Sequence, residues 1–236
     1  MVNGSIEIGQ NQDRADSPIT IILADDHPLL RKALKDVLES QPDFRIIAEA
    51  NDGEEAVKLC TQLKPNVVIM DIGMPKLNGL QATREIKERC PKIIVLVLTV
   101  FDDSEHILGI IEAGAAGYLT KNVFGDEVIH AIRGVAVGEM VISPSIFKKI
   151  IKDSLQIPRK PIPLESGEKI NNRELSILRL AAHGLSNKEI ARTLQIGLRT
   201  VKSYLSEIFF KLNVGSRTEA VIVALKAGII TFKDLE

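Results

Sequence analysis

From residue 19 to residue 137, short apolar runs alternate five times with longer amphipathic stretches, and few architectures accommodate that rhythm. The runs at 19–23, 44–48, 66–70, 92–98 and 117–119 have strand length, whereas 28–40, 53–63, 79–89, 103–113 and 124–137 read as helices. Each intervening helix acts as a crossover, so consecutive strands run parallel and helices cover both faces of one sheet. An α/β fold with a doubly wound, five-stranded parallel sheet is therefore expected. The binding crevice of such a sheet lies beyond the carboxyl ends of its strands, so the residues just after each strand are the first place to look for chemistry.

Past residue 137 the pattern changes. A short helical stretch at 143–154 precedes QIPRKPIPLESG, whose Pro158, Pro161 and Pro163 favour a semi-extended chain, so 138–168 reads as a linker with a short helix. Four helical segments follow, and Asn171 with Glu174, Ser186 with Glu189 and Ser216 with Glu219 each match capping-box spacing. The expected organisation is a disordered polar tail over 1–17, an α/β domain over 18–137, the linker, and an all-α domain over 169–236. The tail lacks the apolar centre of a secretory signal, and no apolar run reaches the roughly 18–20 residues of a membrane span. Cys60 and Cys90 stand in unrelated segments without metal-ligand spacing, which fits a reducing cytoplasm. Charge is unevenly divided. Residues 17–140 hold 13 Lys and Arg against 19 Asp and Glu, a net of −6, while 141–236 hold 16 against 9, a net of +7. A basic carboxyl-terminal half suits a polyanionic partner, although a solvated helix face gives the same excess.

Asp25 and Asp26 follow the first expected strand, Asp71 the third, Thr99 the fourth, and Lys121 comes two residues after the fifth. Alone, Asp26 could cap the next helix and Lys121 could be a surface lysine. Together they bring three carboxylates, a hydroxyl and an ammonium to one crevice. Carboxylates that close repel one another unless a cation neutralises them, and Mg2+ takes one or two carboxylates with waters and phosphate completing its shell. In that setting Asp71 can attack a phosphoryl donor, while Lys121 and the Thr99 hydroxyl meet the transferred oxygens.

The segments LADDHPLLRKAL, VVIMDIGMPKLNGL, VLVLTV and GAAGYLTK resemble the receiver domain of response regulators, over roughly residues 19–137. The resemblance implies a flavodoxin-like sheet. It implies that Asp71 is the phospho-acceptor, that Asp25, Asp26, Asp71 and the backbone carbonyl of Gly73 hold Mg2+, that Thr99 and Lys121 respond to the phosphoryl group, and that Tyr118 is an aromatic switch turning inward. Asn122 stands where many receivers have proline, and Gly73 has no side chain at a position that often carries one. A bare Gly73 is expected to leave an acyl phosphate open to water.

Residues 170–230 resemble the LuxR-type helix-turn-helix, with 187–194 as supporting helix and 198–212 as recognition helix, and the whole chain is similar to response regulators of the NarL/FixJ type. Val201, Leu205, Ile208 and Leu212 form one apolar stripe, leaving Arg199, Lys202, Ser203 and Ser206 on the other side. The resemblance assigns base reading to Lys202, Ser203 and Ser206, and phosphate contacts to Lys188, Arg199, Thr200, Lys211 and Arg217. Ser206 replaces a frequent lysine and Gly197 replaces a usual hydroxyl cap. The helix at 217–227 carries more apolar surface than one core face needs, which suggests dimerisation. A sensor histidine kinase, double-stranded DNA and a homodimer mate are the implied partners, with RNA polymerase a further candidate. A phosphohydrolase using Asp71 is a competing reading, but Gly73 stands where such enzymes usually carry a second aspartate. A ligand-gated LuxR-type regulator leaves the acidic residues and Lys121 without a role, and a helix-turn-helix that binds only protein is separable by DNA binding.

Overall fold

Valine, isoleucine and leucine dominate strands β1 (Ile19–Ala24), β2 (Phe44–Ala50), β3 (Val67–Met70), β4 (Ile94–Thr99) and β5 (Gly117–Thr120), and successive side chains enter opposite cores. Ile22, Val68, Met70, Val95 and Val97 join one cluster with helices α2 (Gly53–Leu63), α3 (Gly79–Arg89) and α4 (Ser104–Glu112). Ile21, Leu23, Val67, Ile69, Leu96 and Leu98 join the other with α1 (Pro28–Glu39) and α5 (Asp126–Ala136). Burial on both faces is what near-continuous apolar strands require. The computed structural model describes residues 17–100, 104–123, 125–143, 146–147, 169–231 and 234. All but the last residue of the expected tail, and most of the linker with its prolines, lie outside these. The sheet is fully parallel, in the order β2-β1-β3-β4-β5-β6.

The sixth strand departs from the expected five. Val141 and Ile142, read as the start of the linker, form a two-residue strand β6 beside Gly117 and Tyr118. Two residues are too few to show a period. Gly117 permits the approach, since a Cβ there would lie 3.0 Å from the Val141 Cβ. Beyond β6, Ile146 enters the α2–α3–α4 core, and Phe147 packs against both that core and the carboxyl-terminal one.

The carboxyl-terminal unit comprises α6 (Asn172–Ala182), α7 (Asn187–Thr193), α8 (Leu198–Leu212) and α9 (Arg217–Lys226) around a core of its own. The stripe Val201, Leu205, Ile208 and Leu212 is buried, as its spacing predicts. Complete capping boxes start α6 and α7. No side chain caps α8, whose N-cap is Gly197. Helix α9 lies against the α/β domain. Ser216 Oγ donates to the Ala115 carbonyl at 3.1 Å, Thr218 Oγ1 donates to the Ala116 carbonyl at 2.6 Å, and Lys226 pairs with Glu112 of α4. Ile222 enters the same apolar cluster as Tyr118 and the α4 residues Ile107, Ile110 and Ile111.

Candidate functional site

The strand order reverses direction at the β1/β3 boundary, so the residues following these strands meet at a topological switch point. The Asp71 amide donates to the Ala24 carbonyl at 2.9 Å, fixing the end of β3 to the end of β1. Asp25 and Asp71 are 5% and 4% exposed. Lys121 follows β5 directly, and its amide donates to the Thr99 carbonyl at 2.7 Å. From there its Nζ stands 2.8 Å from both Asp25 Oδ2 and Asp71 Oδ2. Burial opposes the ammonium charge, but the two carboxylates together outweigh it and hold the Lys121 pKa above its ordinary value. Asp71 Oδ1 accepts from the Ile72 amide at 2.8 Å.

Thr99 is fully buried, and its Oγ1 has no hydrogen-bond partner among the described residues. Such a group costs about 1–3 kcal/mol, so a free donor stands at the carboxyl end of β4. Asp26 is partly exposed, and its Oδ1 lies 2.8 Å from His27 Nδ1, an ion pair when the imidazole is protonated. Ligand atoms of Asp25, Asp26, His27 and Asp71 all lie within 4.8 Å of one another. Three carboxylates against one ammonium leave two negative charges, which a divalent cation would balance, so the donor set fits Mg2+. Gly73 lies exposed in the turn after β3. Tyr118, expected to turn inward, is already fully buried here. His27, to which no sequence signal assigns a role, directly follows the aspartate pair and joins this cluster. Cys60 does not belong to the site: burial pushes its thiol up to about 12, which keeps it protonated.

The carboxyl-terminal unit presents a second candidate surface. Lys188, Arg199, Thr200, Lys202, Ser203 and Ser206 are exposed on α7 and α8. Two other expected phosphate contacts lie elsewhere. Lys211 Nζ stands 2.8 Å from Glu174 Oε1, whose side chain is only 1% exposed. Arg217 is 3% exposed and donates to the Leu185 carbonyl and to Asn187 Oδ1. Burial pushes the Arg217 guanidinium down to about 10, against the pull of Glu139 and Glu189, so it stays charged at neutral pH. Lys202 and Ser206 line a cleft whose far wall is Val137, Gly138 and Glu139 of the α/β domain. Asn187 Nδ2 donates across the same junction to the Val137 carbonyl at 3.4 Å.

Comparison with known proteins covers both units. Residues 21–133 match the response regulator receiver domain family, and residues 169–224 match the luxR family of bacterial regulatory proteins. The transcriptional regulatory protein DegU of Brevibacillus brevis is 35% identical over 235 residues, spanning 92% of this chain and 98% of the relative. LiaR of Bacillus subtilis is 38% identical over 206 residues, spanning 87% of this chain and 96% of the relative. NarL of Escherichia coli, a nitrate/nitrite response regulator, is 34% identical over 205 residues, spanning 87% of this chain and 94% of the relative. A LuxR-family two-component response regulator from Aurantimonas sp. SI85-9A1 superposes with a TM-score of 0.56 at 34% identity, covering 59% of this chain and 99% of that one. RcsB of Salmonella typhimurium shares the fold at a TM-score of 0.53 and 22% identity, over 87% of this chain and 97% of that one. No helix among the described residues is long and apolar enough to cross a membrane. With a receiver and a LuxR-type helix-turn-helix in one polypeptide, and regulators of that organisation similar over nearly their full length, the chain belongs to the two-component response regulators that carry a LuxR-type domain, which are DNA-binding transcriptional regulators.

Proposed function

We propose that Asp71 accepts a phosphoryl group from a sensor histidine kinase and that this modification governs how tightly α8 grips duplex DNA. The observation that carries the reading is Lys121 Nζ held 2.8 Å from both Asp25 and Asp71 at the switch point. Asp71 supplies the attacking oxygen, and the donor's bond to phosphorus breaks as the acyl phosphate forms. Lys121 is placed to follow the charge onto the transferred oxygens, and the buried Thr99 hydroxyl supplies a hydrogen bond that it makes to none of the described residues. Asp25, Asp26 and Asp71, with the carbonyl of Gly73, would hold Mg2+, which when bound neutralises charge on the phosphoryl group. Tyr118 then acts from its buried position, through the apolar cluster it shares with α4 and Ile222.

Base edges fall to Lys202, Ser203 and Ser206, and phosphates to Lys188, Arg199 and Thr200. A phosphate contact by Lys211 or Arg217 requires their present bonds to Glu174 or Leu185 to break. Lys202 and Ser206 are exposed but line a cleft whose other wall is residues 137–139, so a duplex seated along α8 meets that wall unless the domains part. Parting also frees the apolar side of α9, which then becomes available to a second copy of the chain in the cytoplasm. Incubation with acetyl phosphate and Mg2+ should add one phosphoryl group to the intact mass of the wild type and none to Asp71→Asn. An unmodified wild type would contradict the reading.

A further inference from the structure

We infer that Arg31 is a positioning residue for the chemistry at Asp71: its guanidinium, oriented by Glu49, grips the peptide between Asp25 and Asp26 and so sets the direction of both carboxylates. The inference rests on the reading of Asp71 as phospho-acceptor. Arg31 ends the first turn of α1, where its amide donates to the His27 carbonyl at 3.0 Å. A cation this close to a helix N-terminus opposes the helix dipole, so α1 itself gains nothing from an arginine here. The side chain is nevertheless only 11% exposed. Its Nη1 donates to the Asp25 carbonyl, and its Nε donates to Glu49 Oε2 at 3.1 Å. That carbonyl belongs to the planar peptide linking Asp25 to Asp26, so holding it restricts ψ of the first aspartate and φ of the second.

The anchor behind the guanidinium comes from β2. Glu49 sits opposite Leu23 in the β1–β2 register, one residue before Ala50, whose carbonyl accepts from the Asp25 amide at 3.2 Å. Lys35, one helical turn beyond Arg31, takes the other Glu49 oxygen at 2.8 Å. Lys35 first and Arg31 second hold the Glu49 carboxyl below its ordinary value against the opposing effect of burial, so the anchor is charged at neutral pH. Every polar atom of Asp25 is thereby fixed: the amide by Ala50, the carbonyl by Arg31, Oδ1 by the His27 amide at 2.8 Å and Oδ2 by Lys121 at 2.8 Å. Asp26 follows on the same peptide and takes its backbone direction from it. A lysine at position 31 would still neutralise Glu49, but it lacks the rigid planar fork that holds a carboxylate and a carbonyl together.

Acetyl-phosphate labelling of the full chain across a MgCl2 series, with calorimetric titration of MgCl2 into the unmodified chain, tests this in wild type, Arg31→Ala, Arg31→Lys and Glu49→Gln. Labelling is run at a temperature where circular dichroism shows each variant folded. If Arg31 sets the carboxylates, Arg31→Ala and Arg31→Lys should both need at least about tenfold more Mg2+ for half-maximal labelling, and the calorimetric Kd should weaken by the same factor, while the rate at saturating Mg2+ stays within about threefold. Glu49→Gln keeps an acceptor for Nε without its charge and should shift both values in the same direction by at least about threefold, which keeps the test open if an Arg31 variant does not fold. A purely structural role would lower Tm and leave the Mg2+ requirement unchanged. A requirement within about twofold of wild type in Arg31→Ala, or in Glu49→Gln, would therefore overturn the inference, and so would its full restoration in Arg31→Lys, which would leave only the charge. A wild type that takes up no phosphoryl group at any Mg2+ concentration would instead overturn the reading of Asp71 on which the inference rests.

Discussion

At position 79 nothing larger than hydrogen fits, because a Cβ would lie 2.0 Å from the Asp71 carbonyl oxygen. The first turn of α3 is thereby set against the peptide that carries the proposed acceptor. Gly79→Ala must displace one of the two, and an overpacking cost of about 1–3 kcal/mol should appear as a lower Tm with slower acetyl-phosphate labelling; an unchanged Tm and rate would refute the packing argument. Gly73 has the opposite character. It is exposed beside Asp71, so Gly73→Arg should shield the acyl phosphate and lengthen its lifetime, measured by the decay of intact-mass labelling, and a lifetime no longer than the parent's contradicts this. The aspartates, Thr99 and Lys121 were legible in the sequence because strand ends converge by topology. Arg217 and Lys211 were not, because their burial arises from tertiary packing against Leu185 and Glu174 that no local pattern encodes.

Element boundaries were legible where capping chemistry is local. The boxes at Asn171 and Ser186 form in full, but the third is only half made. Ser216 accepts from the Glu219 amide as expected, yet Glu219 accepts from the Gly215 amide, and Ser216 Oγ also donates to the Ala115 carbonyl of the receiver. A capping signal thus concealed a domain contact. The apolar excess of α9 has a similar explanation: Ile222 is covered by the receiver core, a use the sequence could not distinguish from dimerisation. On α8, replacing exposed Lys202 by alanine should weaken DNA binding by relaxing sequence preference. A uniform loss across sequences, with the salt slope shallower by about one, would assign Lys202 to phosphate instead. Within the receiver, hydrogen bonds from Arg133 to Asp43, from Lys35 to Glu49 and from Lys76 to Asp52 hold those three carboxyls below their ordinary values. The unfolded chain binds these protons more readily, so the stabilisation is complete above the ordinary carboxylate range and lost as pH falls through the depressed values. Tm should hold between about pH 7 and pH 5 and fall below about pH 4, with a smaller acid loss in Arg133→Ala. A Tm that ignores pH down to about 3 would contradict this ion-pair account.

For the whole molecule, one arrangement joins the two ends of the signal. The pocket at the ends of β1, β3 and β4 adjoins the α4–β5 face, and that face carries α9 through Ser216, Thr218, Ile222 and Lys226. Because α9 and α8 share one core, the same docking sets the exposed Lys202 and Ser206 along a cleft beside residues 137–139. Added charge at Asp71 needs to weaken only this junction to expose both the recognition helix and the α9 face. Weakening the junction directly should have the same effect: Ile222→Asp places a charge in the apolar cluster and should raise DNA affinity without phosphorylation, whereas unaltered affinity would show that docking does not restrain the helix. The most direct test of the central claim is the dissociation constant for target duplex DNA, measured before and after acetyl-phosphate treatment in wild type and Asp71→Asn. Affinity that rises at least about tenfold in wild type and not in Asp71→Asn is the predicted result, and equal affinity of modified and unmodified wild type would contradict it.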